Sequence, residues 1–291
     1  MRDLRGIYPA LLTPFDKNGK INEAALQQLV RYNVDKGVTG FYVGGSTAEA
    51  FLLSTEEREY ILDIVMDAAG GEAAVISHVG AISTDVAVRL AKYAKKCGAD
   101  AVSAIPPFYY NFTPQEIAEY YRSICDESQM PMIIYSFPGC SGVKLKADGL
   151  KRLLDMNFVI GLKYTDSDYF TMQQVRAACP DAILFNGFDE TFLAGLAMGA
   201  DGGIGSTYNF MAEKFIKMRT LFLEGNLEEA QAIQKEANQI IQTILPMGVM
   251  PAEKAILGLL GIDAGVCRRP FRHLSTEEIE QLETNVLPLL A

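Results

Sequence analysis

The sequence carries no CxxC pair and no cluster of cysteine with histidine. Its five cysteines (Cys97, Cys125, Cys140, Cys179 and Cys267) are scattered through 291 residues, alongside two histidines. That spacing signals neither a zinc site nor a disulfide framework, and a reducing cytoplasm is the expected setting. Tryptophan is absent too, which excludes nothing by itself. Basic charge is in short supply: 26 Lys and Arg stand against 36 Asp and Glu, a formal net charge of −10. Nucleic acid and anionic membrane both reward a basic face, so neither is an expected partner. A small anionic substrate stays open, because one pocket can differ in sign from the whole. No apolar run reaches membrane-spanning length. The opening MRDLRGIYPALLTPF has a short apolar run broken by Pro9 and Pro14, without the shape of a signal peptide. A GxGxxG fingerprint is missing after the first strand-like run, which argues against a dinucleotide-binding sheet.

What is present is enough apolar residue for a sizeable core, 49% hydrophobic against 21% charged. Short β-rich runs alternate with amphipathic stretches. The strand candidates are 6–12, 40–44, 73–79, 100–106, 131–136, 158–163, 182–186 and 201–206. Capping signals open several of the intervening helices: Ser54 with Glu57, and Thr113 with Pro114 and Glu116. Eight βα units without a long linker predict a closed (β/α)8 TIM barrel over residues 1–224. Beyond it, Asn226 and Glu229 predict the capped start of a long helix ended by Pro246. Two further helices, near 251–260 and behind a Ser275/Glu278 box at 276–289, complete a C-terminal extension, 225–291, packed on the barrel.

Barrel active sites lie at the C-terminal ends of the strands. Those ends carry GGSTAEAF (44–51), PPFYYNF (106–112), Tyr135, Lys163 with Thr165, NGFDE (186–190) and GGIGSTYN (202–209). A strand-end lysine ordinarily snorkels to water. At a barrel mouth, burial instead disfavours the ammonium and leaves a free amine able to condense with a ketone. Tyr135, ending the adjacent strand, is a candidate acid and base if its pKa is lowered; the alternative is a core tyrosine. In GGSTAEAF, two glycines and the hydroxyls of Ser46 and Thr47 suit a carboxylate or a phosphate. Glu49 is either a capping acid or a structural hydrogen-bond partner. Asp189 and Glu190 could bind a polyol, do acid–base work or simply open a helix. No Arg or Lys occurs between Gly187 and Lys214, which favours hydroxyl recognition over phosphate there. His78 reads as a hydrogen bonder inside the barrel. PPFYYNF reads equally as a subunit contact or a pocket wall.

Taken together and in order, GIYPALLTPFD, GGSTAEAF, YSFPGCSGV, GLKYTDSD and NGFDETFLAGLAMGADGGIGSTYN resemble the N-acetylneuraminate lyase and dihydrodipicolinate synthase superfamily. The likeness continues through MPAEKAILGLLGI and CRRPF, nearly the whole chain. It implies that Lys163 forms a Schiff base with pyruvate, that Tyr135 is its proton-moving partner, and that Ser46 and Thr47 grip the pyruvate carboxylate. It also implies a homotetramer in which Tyr110 reaches a neighbouring subunit's site. Synthases of the superfamily usually carry an arginine where this chain has Cys140, and a neutral thiol makes no bidentate carboxylate contact. KYTDSD and NGFDE resemble the lyase branch instead, where Thr165, Gly187, Asp189, Glu190 and Ser206 are expected to bind a sugar. The implied activity is aldol cleavage of sialic acid to N-acetylmannosamine and pyruvate, with no cofactor needed. Ala48, Ser136 and Phe137 depart from the lyase pattern, and Phe137 is expected to shape the pocket wall.

Overall fold

A computed structural model describes residues 2–290. Eight strands run parallel in one sheet: β1 (Ile7–Pro9), β2 (Gly40–Val43), β3 (Ala74–His78), β4 (Ala101–Ala104), β5 (Met132–Ser136), β6 (Val159–Tyr164), β7 (Ile183–Asn186) and β8 (Gly202–Gly205). β8 pairs with β1, and β1 returns to β2 through an Ala10–Tyr42 bridge, so the sheet curls into a barrel. Eight of its helices follow strands: α1 (Glu23–Asp35), α2 (Thr55–Ala69), α3 (Thr84–Cys97), α4 (Pro114–Ser128), α5 (Pro138–Ser141) with α6 (Ala147–Leu154), α7 (Tyr169–Ala178) and α8 (Phe192–Ala197). After β8 come α9 (Tyr208–Leu223), α10 (Leu227–Ile244), α11 (Val249–Leu259) and α12 (Thr276–Asn285).

Side chains alternate across the wall with the period of two that a strand imposes. On β5, Met132 and Ile134 face the helices, while Ile133 and Tyr135 fill the interior with Tyr8, Tyr42, Ile76 and Phe185. On β6, Leu162 and Tyr164 join the helix layer, which turns Lys163 inward. Each large apolar side chain so buried is worth about 1.5–3 kcal/mol, which is why strands of four or five residues hold. The predicted first strand, 6–12, shortens to Ile7–Pro9 because the Leu12 N–H turns to the buried Asn209 side chain.

Three of the four predicted capping boxes form, at Ser54/Glu57, Thr113/Glu116 and Ser275/Glu278. The fourth does not. Asn226 sits at ψ 71 instead of the extended ψ near 160 of the others, and its side chain makes no cap bond. α10 is held instead by an apolar stripe of Ala230, Ile233, Ala237, Ile240, Ile241 and Ile244. Polar ties then reach from the tail to the strand-end loops. Gln234 and Asn238 donate to the carbonyls of Asp189 and Glu190, and Arg268 holds Glu57. No single helix among the described residues is long and apolar enough to cross a membrane.

Candidate active site

A cavity of about 360 Å³ opens at the C-terminal end of the barrel. Ser46, Thr47, Tyr135, Lys163, Thr165, Gly187, Asp189, Glu190 and Ser206 all line it, nine of the ten candidates. Tyr110 does not. It lies 63% exposed on the loop between β4 and α4, packed edge-on against Tyr109 and Phe112.

Lys163 is only 5% exposed. Its Nζ stands 4.2 Å from the centre of the Tyr135 ring and 4.5 Å from that of Tyr42. Burial pulls its pKa down to about 7, against a smaller upward pull from Asp189. Burial therefore favours the free amine near neutrality, where a solvated lysine is almost wholly protonated. Tyr135 is its direct partner in the β5–β6 register. Burial raises the Tyr135 phenol well above the usual range, the reverse of the lowered pKa its acid–base role was expected to need. Ser46 and Thr165 are the hydroxyls beside it, and they pull the other way. Its ring stacks on Phe137 and meets His78 edge-on. His78 is neutral in this setting, because burial pushes its pKa well down. Nε2 accepts from Ile105 N, so Nδ1 is the donor to Gly44 O; the ring is the expected hydrogen bonder inside the barrel, and it ties two strand ends together.

The anion loop follows from its glycines. Gly44 takes φ +73, and a Cβ on Gly45 would press into the Tyr42 ring. The turn's internal bonds begin at Ala48 N, which donates to Gly45 O. The N–H groups of Ser46 and Thr47 are thus outside the ladder, in the usual way of a helical first turn, beside two hydroxyls suited to a carboxylate. Ala48 lies in the right-handed turn and needs no glycine; the left-handed residue is Glu49, at φ 60. Glu49 is a structural partner, not a cap. Its carboxylate is fully buried, paired with Lys254 of α11 at 2.7 Å and accepting from Arg268 N at 2.7 Å.

Across the cavity, Asp189 Oδ2 accepts from Thr207 N at 2.9 Å and Thr207 Oγ1 at 2.7 Å. Burial lifts its pKa to about 6 against those bonds. Two glycines make this packing possible. A Cβ at Gly205 would overlap the Asp189 carboxylate, and one at Gly187 would overlap Thr165 Oγ1. Asp189 Oδ1 and Thr165 Oγ1 are both buried without a partner. Orphan polar atoms in a cavity wall are what a hydroxyl-bearing ligand satisfies. Glu190 sits at the exposed rim.

Sequence reasoning missed several walls of this cavity. Phe188 is one, and it meets edge-on the Phe137 ring that was expected to shape the wall. Ile244, Val249 and Met250 close it from α10 and α11. These are apolar residues on helices far along the chain, and the only signal for them was the unusually apolar α11 segment beginning at MPAEKAIL.

Comparison with known proteins gives the same outline. Residues 3–287 match the model of the dihydrodipicolinate synthetase family. An N-acetylneuraminate lyase of Rhizobium meliloti is 46% identical over 99% of this chain and 96% of its own. The N-acetylneuraminate lyase of Fusobacterium nucleatum, solved in complex with pyruvate, superposes with a TM-score of 0.94 at 39% identity, covering 99% of this chain and 98% of that one. The CdNal protein of Clostridium difficile, solved with mannosamine, superposes at 0.95 with 38% identity, covering 97% and 98%.

Proposed function

Because the chain belongs to the dihydrodipicolinate synthetase family, we propose that it is a Schiff-base aldolase that cleaves N-acetylneuraminate to N-acetylmannosamine and pyruvate. The observation that carries this reading is a buried amine, Lys163, in register with a buried phenol, Tyr135, inside a sugar-sized cavity. The relatives' names supply the substrate, and the orphan atoms of Thr165 and Asp189 suit its hydroxyls.

The open-chain substrate lays its carboxylate against Ser46 and Thr47 and its ketone against Lys163. The free amine adds to the ketone carbon. The carbinolamine then loses its hydroxyl as water, taking a proton from Tyr135, and leaves an iminium. A phenol with a raised pKa gives up its proton reluctantly, but the positive iminium forming beside it stabilises the phenolate. The phenolate is correspondingly basic, and removes the proton of the C4 hydroxyl. That electron pair forms the aldehyde of N-acetylmannosamine as the C3–C4 bond breaks, and the bonding pair moves into the iminium to give an enamine. Protonation of the enamine carbon and attack of water on the iminium release pyruvate and restore Lys163. The iminium is the electron sink, so the route needs no metal or organic cofactor.

Thr165, Gly187, Asp189, Glu190 and Ser206 take the sugar's hydroxyls and glycerol tail in this reading. Cys140 offers no cation to a second carboxylate, which counts against synthase chemistry. The reading includes a homotetramer, with Tyr110 serving a neighbouring subunit's site, and a cytoplasmic setting that suits five free cysteines. The test is trapping. Borohydride reduction in the presence of pyruvate is expected to fix one adduct, on Lys163 by mass spectrometry, and N-acetylneuraminate to be turned over by the parent but not by Lys163→Ala. An adduct elsewhere, or turnover surviving in that variant, would overturn the mechanism.

A further inference from the structure

One buried acid has no part in this chemistry. Glu253 lies on α11 one turn beyond Val249 and Met250, which line the cavity, so it shares their face of the helix. Its side chain is fully buried and both carboxyl oxygens lack a hydrogen-bond partner. The polar side chain beside it is Ser206, which lines the cavity. The titratable neighbours are Asp189 from the loop after β7 and the Cys267 thiol from the segment after α11. The adjacent Lys254 is turned to Glu49. Burial and the neighbouring Asp189 both favour the neutral acid, and the Ser206 hydroxyl is the one group that pulls the other way.

We propose that Glu253 is a positioning residue for the polyhydroxyl end of the substrate, a neutral carboxylic acid that holds the Ser206 hydroxyl as a donor toward the cavity. The assignment deepens the reading above and rests on it. A neutral acid has one O–H to give, and the Ser206 hydroxyl beside it, not bonded to it in this structure, is the group that accepts it in the proposed substrate complex. The serine's own hydrogen is then free to point at a ligand oxygen. An ionised Glu253 reverses the arrangement: the carboxylate accepts the serine's hydrogen and leaves the cavity only a lone pair. Burial, with Asp189 adding to it, raises the Glu253 pKa to about 8. The reversal is thus set just above neutrality.

The experiment compares Glu253→Leu and Glu253→Gln with the parent across pH 6.5 to 9.5, roughly the span that brackets that ionisation. Glutamine keeps a donor at every pH; leucine never has one. For N-acetylneuraminate, Glu253→Leu is expected to raise KM about tenfold below pH 8, with kcat within about twofold, and the gap to the parent to narrow above pH 8. Glu253→Gln is expected to match the parent below pH 8 and to lose the parent's rise of KM above it. Borohydride trapping of pyruvate, which has no polyhydroxyl tail, is expected to be unchanged in both; a merely structural lesion would impair it as well. The parent's infrared spectrum is expected to show a protonated carboxyl band that Glu253→Gln removes. An unchanged KM in Glu253→Leu, or an alkaline rise persisting in Glu253→Gln, overturns the role of Glu253 while leaving the aldolase reading intact. A parent that traps no pyruvate and cleaves no N-acetylneuraminate overturns both.

Discussion

Replacing Lys254 with methionine tests how the anion loop is held. The exchange keeps most of the side-chain volume and deletes one charge. Lys254 and Glu49 are 1% and 0% exposed, their ion pair is 2.7 Å long, and Nζ also donates to Val266 O at 3.3 Å. With Nζ gone, the Glu49 carboxylate stays buried with Arg268 N as its remaining donor. Breaking a buried pair from one side costs about 3–5 kcal/mol. The surviving backbone bond puts the expected loss at the lower end, about 3 kcal/mol. Unfolding entropy of about 2.1 cal/mol/K per residue gives about 0.6 kcal/mol/K for a chain of this length, so Tm should fall by about 5 °C. Glu49→Gln in the same chain removes the stranded charge and should recover most of the loss. Because Glu49 follows Ser46–Ala48 directly and holds left-handed backbone, the single variant should also bind pyruvate more weakly while still forming its adduct at saturation. Scanning calorimetry and pyruvate-dependent trapping read both effects. A Lys254→Met protein as stable as the parent, or a double variant less stable than the single, would refute the reasoning.

Lys163→Met should abolish adduct formation yet stabilise the fold. The Lys163 pKa falls from 10.5 to about 7 on folding, so the unfolded chain binds more protons between those values and stability rises with pH there. The burial penalty is complete below pH 7, at most about 4–5 kcal/mol by 1.36 kcal/mol per unit, and fades toward pH 10.5. Denaturant titrations should therefore find the variant ahead of the parent at pH 6 by a margin that narrows at pH 9; a variant less stable at pH 6 contradicts it. Gly205→Ala forces a methyl into the Asp189 carboxylate. It should raise KM for N-acetylneuraminate at least about tenfold, with pyruvate trapping less affected; an unchanged KM would mean that Asp189 is not held where substrate meets it.

The barrel was legible because each strand is buried on both faces and each helix on one, so hydrophobic runs and amphipathic stretches alternate without ambiguity. Capping was legible wherever the backbone stayed extended at the cap. At Asn226 the residue types were right and the ψ was not, and a sequence pattern carries no ψ. Lys163 and Tyr135 were legible as neighbours because both end consecutive strands, and parallel register brings consecutive strand ends together. The direction of the Tyr135 shift was not. It depends on how much water the phenol loses, and that is decided by Phe137, His78 and Tyr42, which come from three different strand ends.

What stayed hidden has a common cause. Glu253 and Lys254 are consecutive charged residues in a helix, a pattern that ordinarily marks a solvated face. Here both are buried, and they differ in what they meet: Lys254 reaches Glu49, 205 positions earlier in the chain, while both Glu253 carboxyl oxygens are left without a partner. Adjacent helical positions point about 100° apart, so one short segment of α11 can brace the Ser46–Ala48 turn and lie next to the cavity wall together. The C-terminal helices are then more than a layer added to a finished barrel. Val249 and Met250 close the cavity, Gln234 and Asn238 hold the loop that carries Asp189 and Glu190, and Lys254 neutralises the acid beneath Ser46 and Thr47. A barrel alone would present Lys163 and Tyr135 in register, but without the tail Glu49 would lose both the Lys254 ammonium and the Arg268 N–H that hold it next to the Ser46–Ala48 turn.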